Sequence, residues 1–212
     1  MNCKNGHVTV PLAVIKRLPM YYRHLHLLRE KGVERISSQE MAKNMGITPS
    51  QLRQDLSAFG EFGQQGIGYR VDTLYLEICE ILGLEREYPA VLVGVGNLGK
   101  AILNYEGFRK RGLVLKGAFD KEPDLIGTSL GLVPISPIKE LASFLVKEKI
   151  DVGIIAVPAA EAQGVADSLC LGGVRGIWNF APRSLLVHPG VKVEDTHIGD
   201  GLLQLLYKLK GE

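Results

Sequence analysis

The stretch Pro89–Gly99, PAVLVGVGNLG, decides how the rest of the chain is read. Ala90–Val95 is a continuous apolar run, β-branched and too short for a helix, which predicts a strand buried on both faces. Gly94, Gly96 and Gly99 carry the spacing G-x-G-x-x-G. In that spacing the first glycine permits a tight turn, the second lets a pyrophosphate approach the backbone, and the third lets the following helix pack on the strand. Asn97 and Leu98 complete the loop. The helix predicted over Leu98–Phe108 would aim its free N–H groups and positive dipole end at the phosphates. Asp120 closes the next apolar run, Leu113–Phe119, at the distance from the glycines where an acid can bind the adenine-side ribose 2′-OH. Lys121 is the only adjacent cation and no Arg follows, so the expected cofactor is NAD(H) rather than NADP(H).

Working outward, the C-terminal half alternates between periods. Extended segments are predicted at Leu132–Ile135, Val152–Val157, Gly176–Asn179 and Val191–Glu194, after a loop over Lys121–Thr128. Helices are predicted at Ile138–Lys147, Ala160–Leu171 and Leu202–Leu209. Strands alternating with helices imply βαβ units, hence an α/β fold with a doubly wound parallel sheet covered on both faces. Ligands of such sheets bind outside the carboxyl ends of the strands. That criterion selects, beside the glycine loop, Asp120 and Lys121, Val157 and Pro158, and Asn179, Phe180 and Ala181. These loops carry no Ser/Tyr/Lys set and no His–carboxylate pair, which argues against hydride-transfer catalysis.

The chain has 212 residues, 46% hydrophobic and 23% charged, ordinary for a globular protein of one large or two modest domains. It lacks an apolar run long enough to span a membrane and a secretory leader, so the cytoplasm is expected. Cys3, Cys79 and Cys170 have neither disulfide nor zinc spacing. The net charge of +2 is unevenly placed: through Arg70 there are ten basic residues against five acidic ones. A polyanionic partner is therefore sought in the N-terminal third.

That third opens with Met1–Thr9, which is polar and without periodicity. From Pro11 to Gly32 a helical stripe is predicted through Leu12, Ile15, Leu18, Tyr22, Leu25 and Leu28, with Pro19 kinking it. Ser37-x-x-Glu40 is a capping box for a helix over Ser38–Met45, closed by Gly46. Thr48 and Pro49 then start a second helix, Pro49–Phe59, across a three-residue turn, which is a helix-turn-helix signature. With Leu52, Leu56 and Phe59 buried, Ser50, Gln51, Arg53, Gln54 and Ser57 face outward, the residue types that reach base edges and phosphates in a major groove. The glycine-dense segment 60–70 predicts a β-hairpin wing able to carry Arg70 to the DNA backbone or minor groove. A helix over Val71–Leu82 leads to a domain boundary at residues 84/85. Helix-turn-helix pairs also serve enzymes as plain packing units, so these residues alone leave DNA binding open.

Taken together, the motifs resemble the redox-sensing transcriptional repressors called Rex. The likeness runs from about Pro11 to Leu209 through Arg17–Arg23 (RLPMYYR), Ile36–Ser38, Thr48–Leu56 (TPSQLRQDL), Phe59–Gly63, Gly66–Tyr69, Val93–Gly99, Leu103–Tyr105, Ile154–Pro158 and Asn179–Pro182. The resemblance implies a homodimer that reads a pseudo-palindromic double-stranded DNA operator with winged helices (residues 1–84). It further implies NAD(H) bound in a Rossmann domain (85–198), a C-terminal helix (199–212) swapped into the partner, and release of DNA by NADH. It adds Arg17 and Tyr22 to the DNA-binding residues and Tyr105 to the cofactor site. It also implies a switch in which Arg23 and Tyr105 join an acid before the terminal helix. Here His197 stands where that acid is usual and Ile198 where a Leu or Phe is usual, while Gln64 and Gln65 replace a basic pair of the wing. Asp195 or Asp200 would then take over as the partner of Arg23, and His197 would make the switch pH-dependent. The alternatives weighed are an NAD-dependent oxidoreductase with an accessory helix-turn-helix domain, and a CoA- or nucleotide-binding subunit.

Overall fold

The computed structural model describes residues 10–60, 62 and 67–210. The chain divides into two compact units, Met1–Glu85 and Arg86–Glu212.

In the first unit, α1 (Leu12–Glu30) runs through Pro19 as one helix. Its buried face is Val14, Leu18, Tyr21 and Leu25, while Leu12 is 65% exposed and Ile15 45%. This corrects the predicted stripe. The helix is apolar on more than one face, so two stripes of helical period cross at Leu18 and Leu25, and packing selects the one that brings Tyr21 inside. The pair Arg35–Ile36 (β1) precedes α2 (Ser38–Met45) and α3 (Pro49–Ser57). Both caps form: Ser37 Oγ accepts from Glu40 N–H and Thr48 Oγ1 from Gln51 N–H, each at 3.1 Å. Gly46, at φ +68°, closes α2 in the left-handed conformation, and Ile47 N–H returns to Ala42 O at 3.1 Å. Leu52 and Leu56 bury the inner face of α3 in a core with Leu18, Tyr21, Leu25, Met41 and Ile78, about 1.5–3 kcal/mol for each such side chain. β2 (Tyr69–Arg70) leads into α4 (Val71–Ile81), which packs on α1.

The predicted hairpin is drawn differently. β2 pairs antiparallel with β1, Arg35 opposite Arg70 and Ile36 opposite Tyr69. The strand that anchors the wing comes from before the helix-turn-helix, where two residues are too short to show a period of two. Gln64 and Gln65, like Met1–Thr9, lie outside the described residues.

The second unit is a seven-stranded sheet. Its strands are β3 (Tyr88–Val93), β4 (Leu113–Asp120), β5 (Ser129–Leu130), β6 (Val133–Pro137), β7 (Val152–Ile155), β8 (Gly176–Asn179) and β9 (Lys192–Asp195). They lie in the order β5-β6-β4-β3-β7-β8-β9. All neighbours pair in parallel except β5 with β6, an edge hairpin of which the sequence predicts β6, as Leu132–Ile135, but not β5. Without β5 the order is that of a doubly wound dinucleotide-binding sheet, and its direction reverses between β3 and β7. The helices are α5 (Asn97–Leu103), α6 (Leu141–Glu148) and α7 (Ala159–Leu171). Apolar layers form on both sheet faces, one around Val91, Phe119, Leu145 and Ile155, the other around Leu92, Ala118, Ile135 and Ile154. α5 stops five residues short of the predicted Phe108. After Asn104 the chain turns so that Tyr105 packs edge-on against Phe108, 4.7 Å between ring centroids, and a Cβ at Gly107 would overlap the Tyr105 ring. The last helix, α8 (Asp200–Lys210), exposes Leu202, Leu203, Leu205, Leu206 and Leu209.

Candidate functional site

Two sites take shape, one in each unit. At the first, α3 presents Ser50, Arg53, Gln54 and Ser57 on its exposed side. Arg53 Nη1 donates to Ser38 Oγ on α2 at 3.2 Å, and Ser57 Oγ to Gln54 O at 2.8 Å. Arg17 and Gln51, nominated with them, are engaged elsewhere. Arg17 makes a two-pronged contact with Asp55, Nε to Oδ2 at 2.6 Å and Nη2 to Oδ1 at 2.8 Å. Tyr21 Oη adds a bond to Oδ2 at 2.5 Å and Gln51 Nε2 one to Oδ1 at 2.8 Å. Asp55 is 1% exposed, and four donors from two helices converge on it. Burial alone would raise its carboxyl, but the bonds from Arg17, Tyr21 and Gln51 outweigh that and hold it below the usual carboxylate value. Burial and the Asp55 carboxylate together push the Tyr21 phenol far above its ordinary value.

The sequence reading missed Asp55, because an acid on a polar helix looks like any solvated residue until α1 covers it. It also missed Arg35. Register sets this exposed arginine opposite exposed Arg70, a like-charge cross-strand pair that is unfavourable unless an anion lies over it. Tyr22 is half-buried and stacks on Tyr75 at 5.5 Å and His26 at 6.2 Å, so its ring belongs to the α1/α4 interface.

The second site lies at the carboxyl ends of β3, β4 and β7. The three glycines separate by what a side chain would meet. Gly94 sits at φ +95°, and a Cβ there would come within 2.5 Å of Ala156 O. A Cβ at Gly99 would overlap the Gly94 carbonyl oxygen. Both are glycine because the protein packs on them. At Gly96 a Cβ would meet nothing within 4 Å, and the backbone is in a conformation open to any residue. The protein's own packing makes no demand there, so the open approach fits a phosphate drawn to the start of α5.

Asp120 ends β4 and braces this loop: Oδ2 accepts from Val95 N–H at 2.6 Å, and Oδ1 from Lys121 N–H at 2.7 Å and Glu122 N–H at 3.0 Å. A cleft of about 240 Å³ opens beside it, bringing together Gly94, Gly96, Asp120, Lys121, Val157 and Pro158. Phe119, Ile138 and Val165 supply further apolar wall, and Glu161 an acid the sequence reading did not select. Lys121 Nζ donates to Glu161 Oε1 at 2.6 Å, which raises the lysine above its ordinary value.

Asn97, Leu98, Gly99, Tyr105, Asn179, Phe180 and Ala181 do not line that cleft. Asn179 is fully buried and shapes the loop after β8: its Nδ2 donates to Arg183 O at 2.8 Å and Asp195 Oδ1 at 2.7 Å, and its Oδ1 accepts from Ala181 N–H at 3.0 Å. Tyr105, Phe108, Trp178 and Phe180 form one chain of ring contacts. Of the switch residues, Arg23 is exposed on α1, and His197 is exposed, its carbonyl accepting from Asp200 N–H at 3.2 Å as α8 begins. Asp195, a substitute partner for Arg23 in the sequence reading, is engaged by Asn179. Among the described residues there is no group of His, Cys, Asp and Glu that could hold a metal ion, and no helix long and apolar enough to cross a membrane.

The two units thus define a helix-turn-helix module joined to a dinucleotide-type α/β module. Residues 9–57 match the family model "Putative DNA-binding protein N-terminus" and residues 85–183 match "CoA binding domain". The redox-sensing transcriptional repressor Rex of Clostridium botulinum is 50% identical over 97% of both chains. Crystal structures of RSP, a Rex-family repressor, are also similar. Its complex with β-NAD⁺ and operator DNA superposes with a TM-score of 0.91 at 45% identity, covering 95% of this chain and 93% of RSP. Its complex with β-NADH gives 0.90 at 42% identity, covering 96% and 95%. The chain belongs to the Rex family of redox-sensing transcriptional repressors.

Proposed function

We propose that this protein is an NADH/NAD⁺-responsive transcriptional repressor that acts in the cytoplasm as a homodimer, binds a pseudo-palindromic DNA operator and leaves it when NADH binds. The observation that carries the reading is the nearly full-length likeness to RSP, in which one chain serves both operator DNA and the dinucleotide. Residues 1–84 hold the operator through Ser50, Arg53, Gln54 and Ser57 on α3, with Arg35 and Arg70 on the strand pair contacting phosphates. Arg17 and Gln51 act one step back, fixing α3 on α1 through Asp55. Residues 85–198 hold NAD(H): the start of α5 at Gly96 takes the pyrophosphate, Asp120 the adenine-side ribose, and the apolar wall of the cleft the adenine. The loop after β8, shaped by Asn179, and the rings of Tyr105 and Phe180 serve the nicotinamide end. The helix within 199–212, with an unpartnered leucine face, packs in the second copy.

The chain is a regulator in this reading, and the dinucleotide is a signal rather than a reactant. The test is a gel shift with genomic fragments, with and without NADH, while NADH absorbance is followed. A retarded band that NADH dissolves without being consumed supports the proposal. NADH consumption coupled to reduction of an added compound would return the chain to the oxidoreductases.

A further inference from the structure

Glu161 is the acid of the cleft that the glycine-and-acid fingerprint does not call for. It sits in the first turn of α7, and its carboxylate reaches 40 positions back in sequence to hold Lys121 at 2.6 Å. Lys121 directly follows Asp120, the residue placed to bind the ribose 2′-oxygen, and it is the only cation lining the cleft among the described residues. That is where dinucleotide sites that accept a 2′-phosphate keep a cationic side chain. A free ammonium there would be a ready phosphate ligand, since a charge-assisted hydrogen bond is about twice as strong as a neutral one. Glu161 takes up that donor and cancels its charge. With Asp120 beside them, the charged residues lining the cleft carry one surplus negative charge, facing a phosphate monoester that would bring about −1.5 to −2 more.

We infer that Glu161 is a specificity residue: by holding Lys121 it withholds the cleft's cation from a 2′-phosphate and so makes the site select NAD(H) over NADP(H). The inference rests on the reading that this cleft takes the adenosine half of a dinucleotide. The two side chains are 66% and 39% exposed, so removing the pair changes charge at the rim without opening the core.

The test uses the full chain and measures dissociation constants for NADH and NADPH by nucleotide fluorescence, in the parent, in Glu161→Gln and in Glu161→Gln combined with Lys121→Met. Glu161→Gln is expected to shrink the NADH preference about tenfold, through tighter NADPH binding, as the freed lysine meets the phosphate. Adding Lys121→Met is expected to restore the preference. A preference unchanged within twofold in Glu161→Gln overturns the inference. So does a gain that survives Lys121→Met, which would mean that Glu161 acts by repulsion alone. If the parent binds neither dinucleotide, the reading of the cleft itself falls and the inference with it.

Discussion

The two units organise their binding faces by opposite means. In the N-terminal unit the face rests on a side chain that is present and buried: Asp55 gathers Arg17, Tyr21 and Gln51 and so fixes α3, whose exposed side keeps Arg53. In the C-terminal unit it rests on side chains that are missing, at Gly94, Gly96 and Gly99. A polar residue near the first face can be a brace or a contact, and only the three-dimensional partner distinguishes them. A glycine near the second can be demanded by the protein or left open to a ligand, and what its Cβ would meet distinguishes those.

Substitutions that separate these roles test the comparison, and the largest effect is expected where the protein itself demands a glycine. Gly99→Val drives a side chain into the Gly94 carbonyl at the start of α5. It should cost about 4 kcal/mol or more, read as loss of the C-terminal unit's thermal transition. A Cβ at Gly96 meets no protein atom within 4 Å, so the melting temperature of Gly96→Val should hold while NADH affinity drops about a hundredfold, measured by calorimetry. A folded Gly96→Val protein that binds NADH like the parent would remove the phosphate from this loop.

Within the N-terminal unit, two arginines should fail in different assays. Arg53→Ala should weaken operator binding by about 1–3 kcal/mol in a gel shift, with stability unchanged. If the loss is equal for all sequences and the salt dependence becomes shallower, Arg53 holds a phosphate instead of reading a base. Arg17→Ala leaves the buried Asp55 carboxylate to Tyr21 and Gln51 alone. Because Arg17 is partly solvated, about 2 kcal/mol of stability should be lost rather than the full cost of breaking a wholly buried pair. Its operator affinity should fall only as the folded fraction falls.

The sequence disclosed the parallel sheet, both helix caps, the glycine loop and Asp120, because each follows from local chemistry: a period, a capping side chain, a run of missing side chains. It did not disclose which stripe of α1 is buried, since Leu12 and Ile15 are as apolar as Val14 and Tyr21. Nor did it disclose the pairing of β1 with β2, Arg35 with Arg70 and Ile36 with Tyr69, or the Glu161–Lys121 contact, which join residues far apart in sequence and leave no local mark. The sequence nominates Asn179 as a ligand contact, but its amide is spent on the backbone of Ala181 and Arg183 and on Asp195. Polar residues at strand ends are where sequence reasoning confuses a ligand contact with the scaffold that shapes it.

The smallest expected effect concerns pH, and it returns to Asp55. Its carboxyl is held below its unfolded value of about 3.9. A group depressed in the folded state binds fewer protons folded than unfolded, so its stabilisation is complete above the unfolded pKa and drains away as pH falls through that value toward the folded one. The N-terminal unit should therefore lose stability between pH 5 and pH 3 through this group, by no more than about 1 kcal/mol for a single carboxyl. Asp55→Asn keeps the shape and cannot titrate, so its stability should be lower at pH 7 and flatter across that interval. Following the N-terminal transition in urea at each pH measures the slope directly. An Asp55→Asn profile parallel to the parent's would mean that other carboxylates carry the acid sensitivity, and the contrast between a unit braced by a buried charge and a unit shaped by glycines would lose its electrostatic half.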